Sequence, residues 1–381
     1  MSLYSYQYRP RRAGLLAPPT FLLVTTSKDT LLTHSMTGTV IGIDTHKDLH
    51  VAHAADHLGR PLGEYQMPTT TAGYAEFLTW ARTFGPINAI GIEGTGHYGA
   101  GLARYLRSEG VTVREVSRPT RQHRARHGKT DAADAAGAAA IVLAGTDNGT
   151  PKHADGDIEM LRILTLTHTS AVHAKTVAIT TMQDLLVTAP APVREQLSGL
   201  SPRRLVSTCA KLSLAENPST PTESVLLVLY RLAVRYQHLA AEADSLQHQI
   251  GRLATHACPA LLTVYGVGPN SAATLLVALG DNPGRVSSEA AFAKLCGVAP
   301  IEASSGKTVR HRLNRGGNRQ ANRALHTIVT VRLRRHQPTR DYLARRIADG
   351  KTKREAIRCL KRYVAREVYN TVLPAQTRQP T

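Results

Sequence analysis

Along this chain the period of the apolar positions changes several times, and each change marks an element. Residues 39–44, TVIGID, carry Val40, Ile41 and Ile43 in a nearly continuous β-branched run that ends on Asp44. That is the pattern of a strand covered on both faces. Two more strand-like runs, at 49–55 and 62–67, flank the turn-rich segment DHLGRP, so the first three strands form an antiparallel meander. The period then becomes helical: Tyr74, Phe77, Leu78 and Ala81 share one face of a helix over 71–84, with Thr70 or Thr71 as its N-cap. A second apolar run at 87–92 leads into Glu93, and a glycine-rich turn, a helix over 100–109 and a strand over 111–116 follow.

The order β-β-β-α-β-α-β is that of a ribonuclease H-like sheet, in which the first and fourth strands lie side by side. Adjacent parallel strands would bring Asp44 and Glu93 together at one sheet edge. Alone, Asp44 reads equally well as a turn or cap residue. The next segment, GKTDAADAA at 128–136, predicts an alanine-rich helix capped by Thr130, with Asp131 and Asp134 on one face of its first turn. Those two acids alone would simply complement the helix dipole. Four carboxylates converging from two strand ends and a helix need a cation, because like charges that close do not all ionise cheaply. All-oxygen ligation suits Mg²⁺ or Mn²⁺, and two such ions are the usual means of cutting or transferring phosphodiesters.

Beyond a Gly- and Asp-rich stretch at 147–157 come two long helical patterns, at 157–187 and 222–255. In the second, Leu226, Leu229, Ala233, Tyr236, Ala240, Ala243, Leu246 and Ile250 repeat at three-four spacing, which predicts a coiled-coil-like spacer or ordinary core. Residues 261–276 have the form of a helix-hairpin-helix, whose Gly266 and Gly268 let backbone amides approach a phosphate. As a plain helical turn the same residues would serve packing alone. The expected division is an aperiodic extension at 1–38, an α/β metal-binding domain at 39–150, a helical spacer at 151–256 and a mainly α domain at 257–381.

Charge then narrows the class of partner. The chain carries 47 Lys+Arg against 28 Asp+Glu, a net charge of +19, which points to nucleic acid. Arg118, Arg121, Arg124, Arg126 and Lys129 lead directly into the acidic helix, well placed to hold a phosphate backbone. Residues 303–362 hold 18 Lys+Arg against 3 Asp+Glu, so most of the net charge lies there. Lys307, Arg310, Arg312, Arg315, Arg319 and Arg323 form its leading edge, and Tyr342 is its sole aromatic residue before Tyr363. So few stacking residues imply that backbone contacts dominate.

The four cysteines are scattered without paired spacing, which signals neither a disulfide framework nor a zinc module and fits a reducing cytoplasm. No run approaches the ~20 apolar residues of a membrane span, and the best leader candidate, at 11–26, is broken by Pro18 and Pro19. A bacterial cytoplasmic, nucleoid-associated protein is expected.

Three blocks, GIDTHKD (42–48), GIEGTGHYG (91–99) and GKTDAADA (128–135), resemble the signatures of DEDD-type transposases of the insertion sequence 110/116 family. Members of that family have a RuvC-like N-terminal domain, and the resemblance maps its metal-binding acids onto Asp44, Glu93, Asp131 and Asp134. Two further runs, GVAPIEASSGK (297–307) and LNRGGNRQANRAL (313–325), resemble the second signature region of the family. There the serine of a Ser-Gly step is the proposed nucleophile, which implies Ser305, with Ser304 as a rival. The resemblance implies a recombinase that cuts and rejoins donor and target DNA through a phosphoserine, guided by a structured RNA and working as a homodimer or homotetramer. Two other readings stay open: a RuvC-like structure-specific endonuclease using metal-activated water, and a non-catalytic nucleic-acid-binding remnant.

Overall fold

The computed structural model describes residues 38–117, 130–213, 217–282, 284–307 and 311–376. Arg118, Arg121, Arg124, Arg126, Lys129, Arg310 and nearly all of the N-terminal extension lie outside the described residues.

The N-terminal unit is a five-stranded sheet built from β1 (Thr39–Thr45), β2 (Leu49–Ala55), β3 (Pro61–Pro68), β4 (Ile87–Glu93) and β5 (Val113–Val116). Its spatial order is β3-β2-β1-β4-β5. As the meander pattern predicts, β1 pairs antiparallel with β2, and β2 with β3, while β1 and β4 run parallel in the register Gly42↔Gly91 and Ile43↔Ile92. Period two then sorts the side chains. Ile41, Ile43, Ala52, Ala54, Ile90 and Ile92 share one buried cluster with Phe77 and Leu78 of α1 (Thr71–Arg82) and Leu102 and Leu106 of α2 (Ala100–Ser108). The alternate positions Gly42, Asp44, Gly91 and Glu93 turn to the opposite face, which α3 (Asp131–Leu143) covers. Thr70 caps α1 through Gly73 N, and Thr130 caps α3 through Ala133 N at 3.2 Å.

The middle is an antiparallel helical hairpin. Helices α4 (Asp157–Thr188) and α7 (Pro221–Ala257) are linked by the short α5 (Ala191–Leu197) and α6 (Pro202–Cys209). Their direction follows from contacts at both ends: Asp157 meets His256 at 2.6 Å, while Met182 and Leu186 share a cluster with Leu229 and Ala233. Leu229, Ala233, Ala243 and Ile250 of the three-four stripe are buried. At its root the hairpin enters the C-terminal core, where Leu161, Ile250 and Ala254 pack with Leu276, Leu325 and Val368. That core is otherwise formed by α8 (Pro259–Thr263), α9 (Pro269–Leu279), α10 (Glu289–Leu295), α11 (Arg319–Arg335) and α13 (Lys353–Gln376), with α12 (Gln337–Ala348) packed beside it. The cysteines are free, and burial pushes the thiols of Cys209 and Cys296 up to about 11 and about 12.

The stretch at 147–157, a boundary by composition, is a docked strap. Backbone N–H groups of His153 and Ala154 both donate to the Asp281 carboxylate at 2.9 Å, and Asn282 donates to the Pro151 carbonyl at 3.0 Å. Between them Lys152 Nζ donates to the Val277 carbonyl, and Arg285 pairs with Glu115 of β5 at 3.2 Å. Burial, aided by nearby Arg285, lowers Lys152 to about 8.

Candidate metal centre

Close backbone approach positions the acids. A Cβ on Gly42 would lie 2.0 Å from the Ala135 carbonyl oxygen and 2.2 Å from Ala139 N, so β1 and α3 touch where only glycine fits. Gly91 makes the matching contact on β4, where a Cβ would meet Val142 at 2.6 Å and the Ala138 carbonyl at 3.1 Å. Ala135, Ala138 and Ala139 form the buried side of the helix, so small residues on both partners bring its N-terminus down beside the strand ends. Asp131 and Asp134 occupy that first turn.

Asp44 and Glu93 follow the last paired residues of β1 and β4 in register, on the face that α3 covers. Asp44 is 8% exposed. Burial pushes its carboxyl above the usual carboxylate range; His46 opposes the rise, while Glu93, Asp134 and Asp131 each add to it. Glu93, Asp131 and Asp134 are thus each near enough to act on Asp44, but of the four only Asp44 and Asp131 offer ligand atoms to one compact cluster among the described residues. Thr45 Oγ1 donates to the Glu93 carbonyl at 2.8 Å and ties the two strand ends together.

His46 was not among the residues selected from the sequence. Its Nε2 lies 3.2 Å from Asp44 and 3.3 Å from Asp131, and one ligand atom from each of these three residues falls within 4.8 Å of the others. His46 lies just past the end of β1, where strand alternation no longer sets the side a residue faces, so the sequence carried no local signal for it. The His46 N–H donates to Nδ1 of His50 at 3.3 Å, and the buried His50 ring stacks on Tyr74. Burial holds His50 below the ordinary histidine range. The carboxylates of Asp44 and Asp131 with the imidazole of His46 between them, and the charges of Glu93 and Asp134 close by, are a donor set compatible with a divalent cation.

The second set of selected residues lies on the C-terminal core. Ser305 and Lys307 are exposed in the loop that joins the short strands β6 (Ile301–Glu302) and β7 (His311–Arg312), which pair antiparallel. Arg312, Arg315, Arg319 and Arg323 are exposed on β7, the following loop and the first turns of α11. Part of that signature is structural. Gly317 approaches Gly297 so closely that a Cβ would lie 2.2 Å from its nitrogen, and Asn318 caps α11 through Ala321 N. Asn322 donates to the Cys296 and Gly297 carbonyls and accepts from Lys361 Nζ at 2.7 Å.

Two of the cations counted toward the basic segment, Arg332 and Lys361, are buried. Gly266, at φ +82°, and Gly268, the N-cap of α9, form the turn between α8 and α9; a Cβ on Gly266 would meet Arg332 and the Ile328 carbonyl at 3.3 Å.

Comparison with known proteins agrees with both halves. Residues 41–189 match the family model of IS110-type DEDD transposases, and residues 258–344 match that of the transposase IS116/IS110/IS902 family. An insertion element IS110 uncharacterized 43.6 kDa protein of Streptomyces coelicolor is 33% identical over 144 residues, 37% of this chain. That match spans about a third, 35%, of the relative's own length. The chain belongs to the IS110 family of DEDD-type transposases.

Proposed function

We propose that this protein is a DNA transposase that cuts and rejoins strands, with Asp44, Glu93, Asp131 and Asp134 as its metal-binding acids and Ser305 as its nucleophile. The observation that carries the reading is the cluster of Asp44, His46 and Asp131, whose ligand atoms lie within 4.8 Å of one another, with Glu93 and Asp134 close enough to act on Asp44. Bound Mg²⁺ or Mn²⁺, two ions in the full site, would supply charge neutralisation on the scissile phosphate. The chain itself supplies the rest. The tie between Thr45 and Glu93 and the seat of Gly42 against α3 hold the acids before DNA arrives. Exposed Arg315, Arg319 and Arg323 follow the serine loop and hold the phosphate backbone by charge.

In the reaction, Ser305 Oγ attacks phosphorus and gives its proton to a base of the assembled site. The bond from phosphorus to the leaving strand oxygen breaks, and a phosphoserine ester retains the bond energy for rejoining. Donor and target DNA are the substrates, a structured RNA selects them, and the working unit is a homodimer or homotetramer. The test is incubation of the protein with labelled DNA and Mg²⁺, followed by denaturation. A covalent protein–DNA adduct is expected, lost in Ser305→Ala; Asp44→Asn should abolish cleavage and retain DNA binding.

One observation favours a second reading, metal-activated water hydrolysis as in a RuvC-like nuclease. The acids are seated on the N-terminal sheet, whereas the serine loop is fixed to the C-terminal core, with Asn314 donating to the Lys294 carbonyl at 3.2 Å. Undiminished cleavage by Ser305→Ala would select that reading.

A further inference from the structure

Helices α11, α12 and α13 border a cavity of about 380 Å³ whose wall includes Arg332, Tyr342, Arg345, Leu360 and Tyr363. In sequence Tyr342 and Tyr363 are isolated aromatics in a basic segment; in the fold their rings meet edge to face, with centroids 5.4 Å apart. Arginines surround the pair. The guanidinium groups of Arg345 and Arg346 lie 5.4 and 6.0 Å from the centre of the Tyr342 ring, and that of Arg366 lies 5.9 Å from the Tyr363 ring. Tyr363 is 52% exposed, so much of its ring has no protein neighbour, whereas Leu360 and Val364 beside it are buried. Arg332 is fixed in the wall: its Nε donates to the Tyr265 carbonyl at 2.8 Å, and its Nη2 pairs with Glu367 at 2.8 Å.

We propose that this cleft receives an unpaired base of a nucleic acid, with Tyr363 as the stacking platform and exposed Arg345 meeting a flanking phosphate, while Arg346 and Arg366 are held beside the rings by Asp349 at 3.1 Å and Glu289 at 2.8 Å. The volume lies at the small end of the roughly 300–1,000 Å³ typical of ligand pockets, room for one nucleotide and not for a duplex. An aromatic face flanked by arginines is how proteins hold single strands, because every base offers a π-face and every linkage a charge. An acidic peptide would satisfy the arginines but leave the tyrosine face without a planar partner. The proposal rests on the nucleic-acid reading above and adds to its backbone contacts a site for one base.

The test uses the full-length protein with four short duplexes: RNA and DNA, each either perfectly paired or carrying one bulged 2-aminopurine. The bulged probe should change its fluorescence on binding and be preferred over its perfect counterpart, and the responding arm shows whether RNA or DNA supplies the base. Tyr363→Leu should weaken binding of the bulged probe by roughly tenfold, leave the perfect duplex unchanged, and be rescued by Tyr363→Phe. Equal affinity of parent and Tyr363→Leu for the bulged probe, or equal loss on both kinds of duplex, overturns the base cleft. If the parent binds all four probes without preference, the cleft fails and the nucleic-acid reading stands. If it binds none, that reading fails with it.

Discussion

Asp44 is a buried acid among acids, and its linkage to folding can be worked out from direction alone. Its folded pKa is raised, so in metal-free protein its charge opposes folding at neutral pH, and that opposition fades as pH falls through the raised range. Asp44→Asn copies the protonated form. The metal-free variant should therefore melt above the parent at pH 7.5, and the gap should close on acidification. Added Mn²⁺ should raise the melting temperature of the parent and leave that of the variant unmoved, a pair of results that thermal denaturation reads directly. A variant that melts below the parent without metal would show that the carboxylate is stabilised by partners other than a cation.

At the scale of elements, the centre depends on how closely α3 settles on β1. Gly42→Val would place a branched side chain where even a Cβ meets the Ala135 carbonyl oxygen at 2.0 Å. Overpacking of this kind costs about 1–3 kcal/mol, and the helix end must move outward to relieve it. The expected outcome is a lower melting temperature together with loss of the Mn²⁺-induced shift, although no ligand has been altered. The start of α7 offers a contrasting test, since Thr220 and Glu223 form a reciprocal capping box far from the acids. Thr220→Ala should cost about 1 kcal/mol in urea denaturation and leave metal binding intact.

At the scale of the molecule, the strap between the N-terminal sheet and the C-terminal core contains a partly buried lysine. Lys152 sits at about 8 in the folded protein against an ordinary 10.5, chiefly because burial disfavours its charge. Between those two values the unfolded chain holds the extra proton, so stability should rise with pH across that window, by about 3 kcal/mol in all for this one group. The melting temperature of Lys152→Met should rise less steeply from pH 8 to pH 10 than that of the parent.

Charge on the outside has a different signature. On the proposed reading DNA affinity should fall steeply with salt, and replacing exposed Arg319 or Arg323 by Ala should lower the log–log slope by about 1. Removing Lys361, which is buried against Asn322, should leave the slope unchanged.

What could be read in the sequence was whatever depends on neighbours in the chain. A nearly continuous β-branched run placed Val40, Ile41 and Ile43 on a strand covered on both faces, period 3.6 placed Tyr74, Phe77 and Leu78 on a buried helix face, and Thr130 announced a helix that begins with two acids. These patterns gave the order of elements along the chain, because local backbone geometry and burial suffice to set it, while the placing of β1 beside β4 came from the likeness of that order to a ribonuclease H-like sheet. Only the tertiary structure decided matters that depend on which distant residues meet. His46 entered the centre because α3 crosses β1, and Gly42 and Gly91 proved to be its seats. Arg332 and Lys361 became internal braces, and two lone tyrosines formed one aromatic pair. Such contacts are fixed by the path of the chain through space, and residues far apart along it carry no local trace of their meeting.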